Sequence, residues 1–270
     1  MRHKAPLLIL VLWALAALLG PVLPLSPEQI DLTRILAPPG AGHWLGNDDL
    51  GRSVAARLLA GARTSFLVAC GVVLISAVFG TLVGGLAAYA GGAVDLVVVR
   101  VIDVFLAFPG ILLAIALAGV MGPGVDNVII ALSVVGWVGY ARLARVQALS
   151  LKHRDHVAAA VAVGRGRAAI FFRHLLPLMV APLIVEATFG VAGIVIAEAG
   201  LSFLGLGVQP PDPSWGSMIR DGTRYMLVAP HLAIAPGVAI LLVVLAINLL
   251  GDRLRDHLDV RGRVTAPEKW

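Results

Sequence analysis

Long stretches without a charged side chain dominate the chain. Six such stretches are evident, at residues 5–27, 64–94, 104–125, 127–141, 174–211 (interrupted only by Glu186 and Glu198) and 225–251. A helix needs about 20 mostly apolar residues to cross a bilayer. The pattern therefore predicts six transmembrane helices, at about residues 6–23, 66–89, 104–121, 127–147, 179–200 and 232–250.

The composition supports an all-α, polytopic membrane protein. Of the 270 residues, 59% are hydrophobic and only 14% are charged, and the mean hydropathy is +0.92. These values argue against disorder, a coiled coil and a soluble domain, because too few polar side chains are present to cover a soluble surface. The single cysteine, Cys70, excludes an internal disulfide.

The first apolar stretch has two interpretations. Arg2 and Lys4 form a basic start, an apolar core follows, and residues 14–16 (Ala-Leu-Ala) resemble the cleavage site of a signal peptide. The apolar run is longer than a typical signal-peptide core, and Pro21 and Pro24 close it. We therefore favour an uncleaved first transmembrane helix.

The basic residues predict the orientation. With the N-terminus in the cytoplasm, 15 of the 21 Lys and Arg residues fall in internal segments, as the positive-inside rule requires. Both termini are therefore expected to be cytoplasmic. The expected organisation is a first helix with an external segment (1–65), a permease core (66–251) that includes a cytoplasmic loop (150–178) and an external loop (201–230), and a cytoplasmic tail (252–270).

The cytoplasmic loop is the most informative segment. Its Ala-rich first half favours a helix, Gly164 and Gly166 should break it, and a second short helix is expected to run to Pro177. Such a helix–turn–helix would be apolar enough to need a partner surface. A plain amphipathic loop at the membrane surface remains the alternative.

The external segments carry a different set of expectations. Asp48 and Asp49 are placed to cap a helix that starts near Leu50, and Arg57 and Arg63 are expected to extend to the membrane interface. The Gly- and Pro-rich backbone of the loop after residue 200 cannot face lipid with unpaired amides. It should fold over the outer end of the bundle or line a wet cavity.

Little of the sequence suggests chemistry. There is no Walker-type phosphate-binding loop, no nucleophile elbow and no nucleic-acid-binding patch. Glu186 is expected about seven residues into the fifth span, where a charge is costly, so it should face the bundle interior or a water-filled path. A carboxylate paired with a neighbouring helix is the alternative, and Glu198 is expected to be in water near the outer end.

Several motifs together resemble a known family. The matching stretches are residues 43–52 (HWLGNDDLGR) continuing through 57–65, residues 100–103 with 108–109, the segment 156–177, residues 201–216, and residues 248–256. The chain is similar to the second inner-membrane permease of binding-protein-dependent ABC importers for dipeptides, oligopeptides and nickel. The resemblance implies a type I importer permease core in the cell inner membrane.

The resemblance also implies partners and residue roles. Residues 154–177 would couple to two cytoplasmic ABC ATPase subunits, through Ala159, Ala160, Gly164, Arg165, Arg167, Arg173, His174 and Pro177. A second permease chain would complete the pore, with Glu186 in the translocation path, and an external solute-binding protein would dock near Asp48, Asp49, Arg52 and Trp215. ATP would be used by the partner subunits, with no cofactor, metal or catalytic residue in this chain.

One departure from the family pattern affects the coupling segment. Ala158 stands where the family usually has a Glu that helps to dock the ATPase. The resemblance favours peptides as cargo, with nickel as the alternative within the family. An ion-coupled secondary carrier is the alternative from another class, and Glu186 is the residue that motivates it.

Overall fold

The computed structural model describes residues 4–23 and 25–258. Ten α-helices form this part of the chain: α1 (Lys4–Leu19), α2 (Val54–Ala90), α3 (Gly92–Leu106), α4 (Gly110–Met121), α5 (Val125–Leu151), α6 (Asp155–Ala162), α7 (Arg167–Ile170), α8 (Leu176–Phe203), α9 (Trp215–Thr223) and α10 (His231–Leu258). Two short 3-10 turns, Gly20–Val22 and Leu32–Arg34, lie between α1 and α2. The predicted all-α class is confirmed, while most of the predicted tail lies outside the described residues.

Four of the helices are long and apolar enough to cross a bilayer: α2, α5, the run Arg167–Phe203 that contains α7 and α8, and α10. A fifth crossing is possible if α3 and α4 are counted as one broken span. Helix α1 is apolar but has only 16 residues. The count of six spans therefore stays a prediction, as does the location of the termini.

The third predicted span, 104–121, is wrong as a single straight helix. The chain forms α3 from Gly92 and α4 from Gly110, and the two axes are bent by 84°. Pro109 lies at the break as the N-cap of α4. Proline lacks an N–H and disfavours helical geometry in the residue before it, so the first helix ends and a new one starts.

The start of α2 also differs from the expectation. The helix begins at Val54, capped by the Ser53 side chain, and not near Leu50. The Asp48 carboxylate instead accepts hydrogen bonds from the backbone N–H groups of Leu50 and Arg52, both at 2.9 Å. Asp48 therefore closes a turn ahead of the helix and leaves the capping to a serine.

Small residues allow α2 and α5 to approach closely at the centre of the molecule. A Cβ added at Gly80 would lie 2.8 Å from the Tyr140 Cβ. A Cβ added at Gly84 would overlap the backbone carbonyl of Ala141. Without a hydrophobic driving force between helices in lipid, such close backbone contact is a main source of their association.

Two apolar clusters fix the ends of this bundle. At one end, Trp13 of α1 and Trp215 of α9 pack with residues of α2 and α10, and their rings lie 6.1 Å apart. At the other end, Phe171, Leu175 and Met179 are fully buried against α5. The loop after α8 folds back onto the bundle, as predicted, and its helix α9 covers the end that holds Trp13.

Candidate functional site

The segment between α5 and α8 forms a helix, a tight turn and a second helix. Gly164 ends α6 with a φ of +78°, a left-handed conformation that glycine adopts without steric cost. Its N–H donates to the Val161 carbonyl at 2.9 Å, and the Arg165 N–H donates to the Ala160 carbonyl at 3.1 Å. Gly166 is the N-cap of α7. The predicted helix–turn–helix is confirmed, with both glycines at its corner.

The sequence predicts a second, separate short helix that ends at Pro177, and this prediction is wrong. Helix α7 passes through one wider, π-helical turn at Phe171–Leu175 directly into α8. Pro177 lies at the start of α8, directly after this wider turn, and removes one backbone hydrogen bond to the preceding turn. The turn at Gly164 is therefore joined to a membrane-spanning helix without a break.

One face of the helix–turn–helix is attached to the bundle. Val157 of α6 is 2% exposed and Ala160 is 8% exposed, and both pack in the cluster that holds Phe171. Ala148 and Leu151 at the end of α5 complete this contact. The segment is thus packed against the bundle. Ala160, one of the predicted coupling residues, is buried within this contact.

The opposite face is exposed and both apolar and basic. Val161 is 57% exposed, Val163 is 82% exposed and Phe172 is 49% exposed. Most of the predicted coupling residues are exposed as well, whereas Ala160 is buried and His174 is half-buried. The exposed ones are Ala159, Gly164, Arg165, Arg167, Arg173 and Pro177. An apolar surface rimmed by charge is typical of a protein interaction site, although its partner stays a prediction.

Glu186 lies on the outer surface of the chain, midway along α8. The side chain is exposed, so the expectation that it faces the interior of this chain's bundle is wrong. A Cβ added at Gly139 of α5 would lie 3.6 Å from its Oε1. Among the described residues no Lys, Arg or His forms an ion pair with it. Because a charge at this depth is costly in lipid, the face that carries it requires water or another chain.

A buried ion cluster at the start of α2 is formed by Asp48, Arg52 and Arg57. The Arg52 Nε lies 2.7 Å from the Asp48 Oδ2, and the Arg57 Nε lies 3.4 Å from the same oxygen. Arg57 is only 5% exposed, so the expectation that it extends to the interface is wrong. The cluster ties the external segment to the start of α2.

Trp215 is likewise internal. It is 3% exposed, and its Nε1 donates to the Leu58 carbonyl at 3.0 Å. Of the four residues expected to dock a binding protein, only Asp49 is partly exposed, since Asp48, Arg52 and Trp215 are buried. A docking role for these residues stays a prediction, and burial limits the other three to shaping the surface from within.

Glu198 is a residue that sequence reasoning placed wrongly. It is 1% exposed and not in water. The Ser202 Oγ donates to its Oε1 at 2.7 Å, and the Ser65 Oγ donates to its Oε2 at 3.0 Å. The spacing of four residues from Glu198 to Ser202 was a signal in the sequence, whereas Ser65 comes from α2, 133 positions away.

Comparison with known proteins agrees with this architecture. The sequence model of the family described as "Binding-protein-dependent transport system inner membrane component" matches residues 80–264. The chain is 43% identical over 256 residues to the glutathione transport system permease protein GsiD of Pectobacterium atrosepticum, covering 94% of this chain and 85% of that protein.

Other relatives are named for different transported substrates. The nickel transport system permease protein NikC of Escherichia coli is 41% identical, with 95% of this chain and 93% of that protein covered. The dipeptide transport system permease protein DppC of Alkalihalophilus pseudofirmus is 40% identical, with 94% and 84% covered.

A solved structure shares the fold. It is a chain of the inward-facing MetNI methionine ABC transporter, with a TM-score of 0.62 and 19% sequence identity, covering 75% of this chain and 96% of that one.

Proposed function

Because the chain belongs to the binding-protein-dependent transport system inner membrane component family, we propose that it is a permease subunit of an ATP-driven importer of small peptides. It forms half of a translocation path in the cell inner membrane. The observation that carries this proposal is the exposed apolar and basic face of the α6–α7 turn, which is continuous with the membrane-spanning α8.

The partners follow from that face and from the family. Two cytoplasmic ABC ATPase subunits bind the segment 154–177, and they hydrolyse the ATP. Arg165, Arg167 and Arg173 are exposed there and supply the polar contacts that the family's usual Glu supplies at the position of Ala158. A second permease chain and an external solute-binding protein complete the complex.

The relatives favour a peptide cargo. Two of the three named above transport glutathione or dipeptides, and glutathione is itself a small peptide. The third transports nickel, so import of a nickel complex is the alternative within the family. Selection between the two rests mainly in the binding protein.

Glu186 supports the placement of the path. Its exposed carboxylate lies midway along α8. A charge at that depth needs solvation, and a water-filled passage between two permease chains would provide it. The face of α8 that carries Glu186 therefore lines the path.

A second candidate function is an ion-coupled carrier that works without an ATPase, and Glu186 is the observation that favours it. Reconstitution separates the two. With binding protein, second permease and ATPases in proteoliposomes, dipeptide uptake should require ATP and stop with a non-hydrolysable analogue. Uptake by the purified chain alone under a proton or sodium gradient would overturn the ATP-driven proposal.

A further inference from the structure

An open apolar groove lies beside the coupling segment, on the side of the molecule where α2 ends. Its volume is about 430 Å³, and its lining comes from the end of α2, the start of α3, and α7. Leu82 and Leu86 form one wall, and Val94 and Val98 form the other. The volume is within the range of ligand sites, about 300–1,000 Å³, and the lining is apolar apart from Tyr89 and Arg167.

The groove is basic at its rim. Arg167, the first residue of α7, lines it and is exposed. No described acidic residue forms an ion pair with Arg167. Nearby, the Lys152 Nζ lies 3.5 Å from the carbonyl oxygen of Ala88, at the end of α2. The third cation of this region, Arg145, is already occupied, because Asp95 accepts two hydrogen bonds from its guanidinium at 2.7 and 2.8 Å.

We propose that this groove binds one anionic phospholipid. The acyl chain lies between the leucines of α2 and the valines of α3, and the phosphate pairs with Arg167 and Lys152. Basic pockets between membrane helices at the cytoplasmic surface are where anionic headgroups bind. The groove is poorly suited to a peptide cargo, because its lining has only Tyr89 and Arg167 as partners for amide groups and no carboxylate for an ammonium group.

The position of the groove gives the lipid a consequence. Arg167 is the first residue of α7, which directly follows the exposed turn at Gly164, and α7 continues into α8. A lipid held here bridges the end of α2 to α7 and restrains α7 relative to the bundle. The proposal requires only that the chain is embedded in a membrane, and it is independent of cargo. It assigns the Arg167 guanidinium to the lipid and leaves Arg165 and Arg173 for the proposed contact with the ATPases.

The test is lipid retention by the full chain, with phosphatidylglycerol as the probe. We expect native mass spectrometry of the detergent-purified protein to show one phosphatidylglycerol bound in preference to phosphatidylcholine. Arg167→Gln should weaken retention about fivefold, the effect of one cation beside an anionic headgroup. The matched control is Arg165→Gln, which removes an equally exposed arginine outside the groove. Equal retention by both variants would overturn the proposal.

A second measurement keeps the proposal falsifiable if a variant folds poorly. A photoreactive benzoylphenylalanine at Val98, on the groove wall, should cross-link to phospholipid in native membranes. Cross-linking to a second protein chain would show that a partner helix fills the groove, and would refute lipid binding. Normal ATP-driven uptake together with absent lipid retention would reject this inference alone and leave the proposed function intact.

Discussion

Gly84 of α2 lies directly against the backbone carbonyl of Ala141 in α5, so that a Cβ on the glycine would overlap the carbonyl oxygen. Gly80, one helical turn earlier, is in the same position relative to Trp137. Together these contacts bring two of the longest helices to backbone distance. No rotamer change can relieve an overlap with a backbone atom, which makes the pair intolerant of larger residues.

Gly84→Ala should therefore destabilise the protein. We expect the free energy of unfolding to fall by about 1–3 kcal/mol, the usual cost of overpacking, measured by reversible denaturation in micelles. Gly71→Ala in the same helix is the control, because no atom lies within 4 Å of its added Cβ. Equal stability of the two variants would contradict the close approach of α2 and α5.

Removal of the Glu198 carboxylate should also be costly. Glu198→Ala leaves the buried hydroxyls of Ser65 and Ser202 without their acceptor, and each unpaired group costs about 1–3 kcal/mol. Glu186→Ala removes an exposed carboxylate of the same helix and should change stability little in detergent. Thermal unfolding of both purified variants checks this, and a loss confined to Glu186→Ala would argue against the buried network.

Asp48→Ala should damage the external segment. The change leaves the buried guanidinium groups of Arg52 and Arg57 without their shared carboxylate, at a cost of about 3–5 kcal/mol for a broken buried pair. Asp49→Ala is the control, because its contact with Arg52 is longer, 3.7 Å, and more exposed. Limited proteolysis of the external side should cut the Asp48 variant first, and identical digestion patterns would count against the cluster.

The turn at Gly164 can be tested by backbone conformation alone. No atom lies within 4 Å of a Cβ added there, so substitutions act through the left-handed φ. Gly164→Val should leave membrane insertion intact but reduce uptake and loosen ATPase association. Gly164→Asn should retain more uptake than Gly164→Val, because Asn tolerates this conformation. Equal uptake in all variants would show that the turn does not couple to the ATPase.

The face of α8 that carries Glu186 can be mapped by labelling. In a Cys70→Ser background, which removes the single native cysteine, Glu186→Cys should react with a membrane-impermeant thiol reagent in the assembled transporter. Ile184→Cys, two positions away and thus on a different side of the helix, should react slowly. The reverse order would place the water-filled path elsewhere.

The sequence predicted the features that depend on composition and local geometry. Charge-free stretches located four helices long enough to span a bilayer, and two glycines correctly marked the corner after α6. Both signals are local, because apolar length decides membrane insertion and only glycine adopts a φ of +78° at no cost.

The predictions were wrong where a proline determines the end of a helix or where distant residues determine burial. The stretch from residue 104 carries no charge, yet Pro109 divides it between two helices. The first of these, α3, begins well before residue 104 and contains the charged residues Asp95, Arg100 and Asp103. Glu198 appeared to be near water, because its partner Ser65 is unrecognisable without the packing of α2 on α8. Burial by a distant helix leaves no mark on the local pattern.

The unbroken run from Arg167 to Phe203 has a mechanical consequence. Its 37 residues would extend about 55 Å at the helical rise of 1.5 Å per residue, nearly twice the hydrocarbon thickness of a membrane. A tilt imposed at the α7 end is therefore delivered as a lateral displacement at the opposite end, where Glu198 fastens the rod to α2. One continuous helical run, which can bend only where the π-helical turn and Pro182 interrupt its hydrogen bonds, thus connects its two ends without any relay of side chains.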